Sequence, residues 1–159
     1  AIHPITDFLA SPVFKLIDLK EDDWWKRISV DSFDAILAFA VFHHIPGDDL
    51  RSNTIQQIRQ LLSPKGKLYI SVWQFLNRPR LAERIQDWSI IGLQSDEVDP
   101  GDYLLDWRRG GTGYRYIHHF SAEELHTLAR QHDFQVLESF SADGAEGNLG
   151  LYQVWKPNK

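Results

Sequence analysis

Residues 33–45 read FDAILAFAVFHHI, and the fold follows from how that stretch is taken. Residues 33–41 are almost continuously apolar rather than alternating. That pattern predicts a strand buried on both faces, as in a parallel sheet covered by helices. Next, Pro46-Gly47 breaks the strand, and Asp48 or Asp49 is placed to cap a helix whose apolar positions Leu50, Ile55, Ile58, Leu61 and Leu62 recur at helical spacing. Ser63-Pro64-Lys65-Gly66 then turns the chain, and residues 67–73 (KLYISVW) read as the following strand. Strand, helix and strand with short joints make a βαβ unit, whose crossover is expected to be right-handed.

On the amino-terminal side, residues 14–19 (FKLIDL) are β-prone and predict a strand ending at Asp18 or Leu19. Before them, Pro4 and Pro12 bracket a segment too short to form a stable helix alone. On the carboxyl-terminal side, residues 78–93 predict a helix with Leu81, Ile85 and Trp88 on one face, and residues 94–116 a long polar loop or small cap. Ser121 and Glu124 form a capping box for a helix carrying Leu125, Leu128 and Ala129. Residues 134–140 and 149–155 then read as two strands of an antiparallel hairpin, with Gly144, Gly147 and Asn148 in its turn. The expected organisation is a single domain over residues 1–159 with a cap or loop at about 76–118.

Composition narrows the function. The 159 residues are 43% hydrophobic, enough for one core. Without cysteine, disulfides, thiolate zinc sites and cysteine nucleophiles are excluded. The longest apolar run, residues 35–42, is too short to span a bilayer, which takes ~20 residues. The opening AIHP lacks the pattern of a secretory signal, so a cytoplasmic protein is expected. A net charge of −5 argues against a broad nucleic-acid surface and leaves room for a local basic patch. No methionine occurs anywhere, which leads us to expect part of a longer chain.

In a doubly wound sheet, ligands bind outside the carboxyl ends of the strands. Here those ends are Asp18-Leu19, residues 39–44 and residues 73–75. The words FKLIDL, FDAILAFAVFHHI and LLSPKGKLYISVW, followed by the terminal hairpin, in this order resemble the class I S-adenosylmethionine-dependent methyltransferases. Asp102-Tyr103-Leu104-Leu105-Asp106-Trp107, then Arg115-Tyr116-Ile117-His118 and Glu124-Leu125, are similar to the tRNA wobble-uridine methyltransferases, which methylate a carboxymethyl group on an anticodon base. Asp106 and Ile117 stand where that group usually has a proline and a second tyrosine. The resemblance implies an α/β, Rossmann-like, mostly parallel sheet with a C-terminal antiparallel hairpin. The family's first βαβ unit, with its glycine-rich turn, has no counterpart in the chain. Gly110-Gly111-Thr112-Gly113 follows no buried strand and leads into no helix, so it reads as a turn.

By the same resemblance S-adenosylmethionine is the expected cofactor. Asp18 would accept a hydrogen bond from the adenine amino group, with the Leu19 amide nearby, while Phe39 and Ala40 would line the cofactor channel and one of His43 and His44, His43 first, would touch cofactor or acceptor. For Asp18 the alternative is a solvated turn carboxylate, and for Phe39 plain core packing. Trp107, Arg108, Arg109, Arg115, Tyr116 and His118 concentrate basic and aromatic groups suited to stacking a base and holding a phosphate or carboxylate. The alternative there is a solvated loop with one tryptophan anchor. Arg78, Arg80 and Arg84 read as an exposed helix face or an extension of a phosphate track.

For a carboxylate acceptor, Arg108 or Arg115 would orient it; for a hydroxyl or amine, His43 or His118 would serve as base. No metal is required; the pairs His43-His44 and His118-His119 could converge as ligands, but adjacent histidines on a strand point to opposite faces, so each pair would offer one. The expected function is a methyltransferase acting on a modified tRNA base or a small molecule. The other reading is a non-catalytic binding or scaffolding module on the same fold.

Overall fold

The computed structural model describes residues 13–107, 110–111 and 113–158. Strand β1 (Phe33–Phe39) is followed by a 3-10 turn (Phe42–His44), helix α1 (Asp48–Leu61) and strand β2 (Leu62–Trp73). A short helix α2 (Pro79–Ala82) leads into β3 (Ile85–Gln86), β4 (Asp102–Trp107) and β5 (Gly113–His118). Helix α3 (Ala122–Gln131) and the hairpin of β6 (Phe134–Ala142) and β7 (Gly150–Pro157) close the chain. The main sheet has the order β1-β2-β7-β6, and β3-β4-β5 form a separate sheet. The protein is thus a mixed α/β fold. Among the described residues its parallel part is the pair β1 and β2, while β2–β7 and β7–β6 are antiparallel.

The βαβ unit forms because the apolar stripe of α1 and one face of the sheet bury each other. Ile55, Ile58 and Leu61 of α1 share a core with Leu68, Ile70 and Val72 of β2, Leu151 and Trp155 of β7, and Leu125 and Ala129 of α3. Alternate β2 residues at this spacing point to one face. The expectation that residues 33–41 are buried on both faces is corrected: Ala38 is buried, but Leu37 and Phe39 are 63% and 50% exposed. β1 is an edge strand, and among the described residues the helices pack on the opposite face of the sheet.

Several local expectations change for physical reasons. Asp48 and Asp49 occupy the first turn of α1 rather than its cap, which is Gly47 at φ +78°. Ser63-Pro64-Lys65-Gly66 lies within β2 as an irregularity, the register stepping from Phe33↔Leu62 to Ala35↔Lys67. At Gly66 a Cβ would come within 2.7 Å of the Phe33 carbonyl oxygen, so only glycine permits that approach. Residues 13–18 enter no sheet among the described residues, with Phe14 and Leu16 89% and 95% exposed. β-propensity without a partner strand does not make a strand.

The helix expected over residues 78–93 ends after Ala82. Arg84 and Ile85 are drawn instead onto β4, where Arg84 Nε donates to Asp106 at 2.7 Å and Ile85 pairs with Leu105. The residues read as a loop are the β4–β5 hairpin, whose turn includes Gly110 and Gly111 at positive φ. This cap has its own small core of Phe75, Leu105 and Ile117. The capping box at Ser121 and Glu124 and the terminal antiparallel hairpin form as expected.

Candidate active site

The cap meets the main sheet at the carboxyl ends of β1 and β2, and a cleft of about 370 Å³ opens there. Its floor is Phe39, Ala40, Ser71 and Tyr152; one wall is His43, His44 and Arg115. Ala40 takes φ +54°, unusual for a residue with a Cβ, and donates its N–H to both the carbonyl (3.0 Å) and hydroxyl (3.1 Å) oxygens of Ser71. Backbone strain of this kind persists where surrounding structure enforces it, and it clusters at functional sites. Phe39 presents its ring to Tyr152 edge-on, with centroids 6.0 Å apart.

The histidines lie in the 3-10 turn after β1 rather than on a strand. Their rings therefore sit together, 4.2 Å between centroids, instead of on opposite faces. Trp73 N–H donates to His43 Nδ1 at 3.2 Å, which leaves the ring proton on Nε2. Burial, with His44 and Arg115 adding like charge, lowers the His43 pKa to about 3. His44 Nδ1–H donates to the Tyr116 carbonyl oxygen at 3.1 Å, leaving its Nε2 lone pair free. Its pKa is also lowered, chiefly by burial and secondarily by Arg115, against the opposing effect of that hydrogen bond. Arg115 stacks on Trp107, its Cζ 3.9 Å from the ring centroid. The register Leu105↔Arg115 and Trp107↔Gly113 makes the two diagonal neighbours across β4 and β5.

Comparison with known proteins places the chain in a family. A family profile described as a methyltransferase domain matches residues 12–139. The chain belongs to the methyltransferase domain family. A provisionally named methyltransferase of Encephalitozoon cuniculi is 29% identical over 107 residues, covering 67% of this chain and 47% of its own. The chain thus spans about half the length of that curated relative.

Solved structures share the fold. An S-adenosylmethionine-dependent methyltransferase of Methanosarcina mazei aligns with a TM-score of 0.58 at 23% identity, over 81% of this chain and 61% of its own. A 1,6-didemethyltoxoflavin-N1-methyltransferase of Burkholderia thailandensis, solved with its substrate and S-adenosylhomocysteine, aligns with a TM-score of 0.55 at 18% identity, over 85% and 48%.

In the methyltransferase domain, Phe39, Ala40, His43 and Arg115 come together in the cleft. Asp18 and Leu19 do not line it. The Asp18 carboxylate accepts from the Lys20 N–H at 3.0 Å within an exposed turn, and Leu19 packs against the main core. Arg108 and Arg109 lie outside the described residues. Tyr116 and His118 point into a buried polar network behind the cleft. Tyr116 Oη donates to Asp102 Oδ1 at 2.6 Å and accepts from Arg51 Nη1 at 2.9 Å. His118 is bonded through Nδ1 to Asp102 and through Nε2 to Glu124, each at 2.6 Å. Burial alone would lower the His118 pKa, but the two carboxylates outweigh it and raise it. Arg51 completes the network, paired with Asp48 and, at 3.0 Å, with Asp99.

Sequence reasoning ranked His44 behind His43, where the cleft takes both, and missed Ser71 and Tyr152 in the cleft and Arg51 and Asp102 behind it. Arg51 did carry a signal: it stands four and seven residues before Ile55 and Ile58, on the buried stripe of α1. A larger cavity, about 610 Å³, lies between the first turn of α1 and the length of α3 and shares no residue with the cleft. Among the described residues no group of histidines and carboxylates is placed to hold a metal ion, and no helix is long and apolar enough to cross a membrane.

Proposed function

We propose that this domain transfers a methyl group from S-adenosylmethionine to an acceptor held in the cleft at the ends of β1 and β2, as a single cytoplasmic domain. The observation that carries the reading is the coincidence of that cleft with the strained Ala40 turn in a chain of the methyltransferase family. Solved relatives of the same fold include a glycopeptide N-methyltransferase with S-adenosylhomocysteine bound.

The residues present fit such a molecule at one end. Phe39 offers a half-exposed flat ring, Ser71 a hydroxyl, and His43 an Nε2–H whose partner nitrogen is already committed. The bound cofactor would supply a methyl group activated by a sulfonium. Asp18 and Leu19 complete the cofactor set in this reading, approaching from their exposed turn.

Transfer of such a methyl group is an in-line displacement, so the protein's work is positioning, worth several kcal/mol. Trp107, Arg108, Arg115 and Tyr116 orient the acceptor in this reading, which is a modified tRNA base or a small molecule. The resemblance around residues 102–118 supports the tRNA base, and the net charge of −5 supports the small molecule. His43 and His44 stay neutral, so for an acceptor that must lose a proton the free Nε2 of His44 is the available base. With both ring nitrogens engaged by carboxylates, His118 acts as a positioning residue through Asp102 and Tyr116.

Isothermal titration of the intact gene product with S-adenosylhomocysteine is expected to give saturable heat and a raised melting temperature. Neither heat nor protection would sink the proposal and leave a non-catalytic module on this fold. For the tRNA branch, binding must weaken steeply with salt.

A further inference from the structure

The cations around the cleft differ in one respect. Arg51 is paired with Asp48 and Asp99, Arg84 with Asp106, and Arg78 with Glu146. Arg115 lines the cleft and, among the described residues, has no carboxylate within ion-pair distance. Trp107 holds one face of its guanidinium, which leaves the donor edge free. The acid in the cleft lining, Asp143, is already engaged by the Tyr152 hydroxyl. The two histidines beside Arg115 are neutral, one presenting an N–H and the other a lone pair. The cleft therefore offers one partly buried positive charge, held on a ring face and presenting a planar fork, in a space of about 370 Å³.

We propose that Arg115, stacked on Trp107, is a carboxylate clamp that selects the methyl acceptor as a small molecule carrying one negative charge. This rests on the reading of the cleft as the transfer site. A guanidinium fork matches a carboxylate through parallel N–H donors, and stacking removes the rotational freedom that binding otherwise costs. A small acceptor fits better than a nucleic acid because the net charge is −5 and, among the described residues, Arg115 is the one arginine or lysine in the cleft lining.

The test uses 4-fluorobenzoate and neutral 4-fluorobenzamide as probes, followed by fluorine NMR on the intact gene product, with S-adenosylhomocysteine titrated into the same samples. The benzoate is expected to bind at least about tenfold more tightly than the benzamide, the scale of one charge-assisted contact. Arg115→Gln is expected to abolish that preference, and Arg115→Lys, which keeps the charge and loses the fork, to reduce it. The exposed Arg130→Gln is expected to leave it intact. Equal binding of the two probes, or a preference that survives Arg115→Gln in a folded variant, overturns the clamp. Displacement of the benzoate by a short RNA at low salt overturns the small-molecule assignment. If S-adenosylhomocysteine binds and the benzoate does not, the clamp fails and the methyltransferase reading stands. If the benzoate binds and S-adenosylhomocysteine does not, the methyltransferase reading fails, and with it the clamp's role in acceptor selection.

Discussion

His43-His44 and His118-His119 are the same dipeptide in two settings, and the chain treats them oppositely. At the cleft, both rings are held neutral by burial beside Arg115. Behind it, His118 is held by Asp102 and Glu124 and its pKa rises, although it is as buried as His43. His119, next to it, has no hydrogen-bond partner for its buried Nε2 among the described residues, and its pKa falls, mainly through burial. Burial alone thus does not set the charge of a histidine; the sign of the neighbouring side chains does. The cleft pair is suited to chemistry near a bound anion, and the His118 network ties the cap to α1 and α3.

The comparison is broken most severely at Asp102, which serves Tyr116, His118 and, at 3.9 Å, Arg51. Asp102→Ala leaves the Tyr116 hydroxyl without its acceptor and breaks the buried Asp102–His118 pair, leaving Glu124 as the carboxylate on that ring, and is expected to cost about 3–5 kcal/mol in urea unfolding. On the cleft side, His43→Ala removes the acceptor for the Trp73 N–H and is expected to cost about 1–3 kcal/mol.

The pH dependence separates the two regions by sign. His43 is neutral when folded down to about pH 3, whereas the unfolded chain takes up its proton near the ordinary value of 6.5. Its contribution to stability therefore falls as pH drops from about 6.5 toward 3, with a slope of at most ~1.4 kcal/mol per pH unit. His118, with a raised pKa, stabilises fully below 6.5 and loses that contribution as pH rises through its raised value. Urea midpoints across pH should show a shallower acid limb in His43→Gln and a shallower alkaline limb in His118→Gln. If both variants flatten the same limb, the assigned charges are wrong. The smallest effect is expected at the exposed pair Arg130–Glu123, where Arg130→Ala should shift stability by under about 0.5 kcal/mol.

Local signals were readable where one element carried its own pattern. The stripe of Ile55, Ile58 and Leu61, the Ser121–Glu124 box and the two apolar runs around Gly144, Gly147 and Asn148 of the terminal hairpin each specify an element without reference to distant residues. The cap was not readable in that way. β3 has two residues, and it exists because Ile85 and Gln86 meet Leu105 and Leu104. Likewise, nothing local distinguishes residues 13–18, which have strand chemistry and no partner among the described residues, from a strand that has one.

For the site, the sequence by itself determined the βαβ unit and the position of His43, Ala40 and Phe39 at a strand end, because helical and strand periodicities act over a few residues. It also carried the family resemblance that the methyltransferase profile supports. Only the tertiary structure decided that His44 faces the cleft beside His43, that Arg115 stacks on Trp107 with no carboxylate partner among the described residues, and that Tyr116 and His118 turn away into a network with Arg51. Those outcomes depend on residues up to 72 positions apart, as between His44 and Tyr116, coming within hydrogen-bond reach. Charge state and partnership are properties of that packing, and no window of sequence contains them.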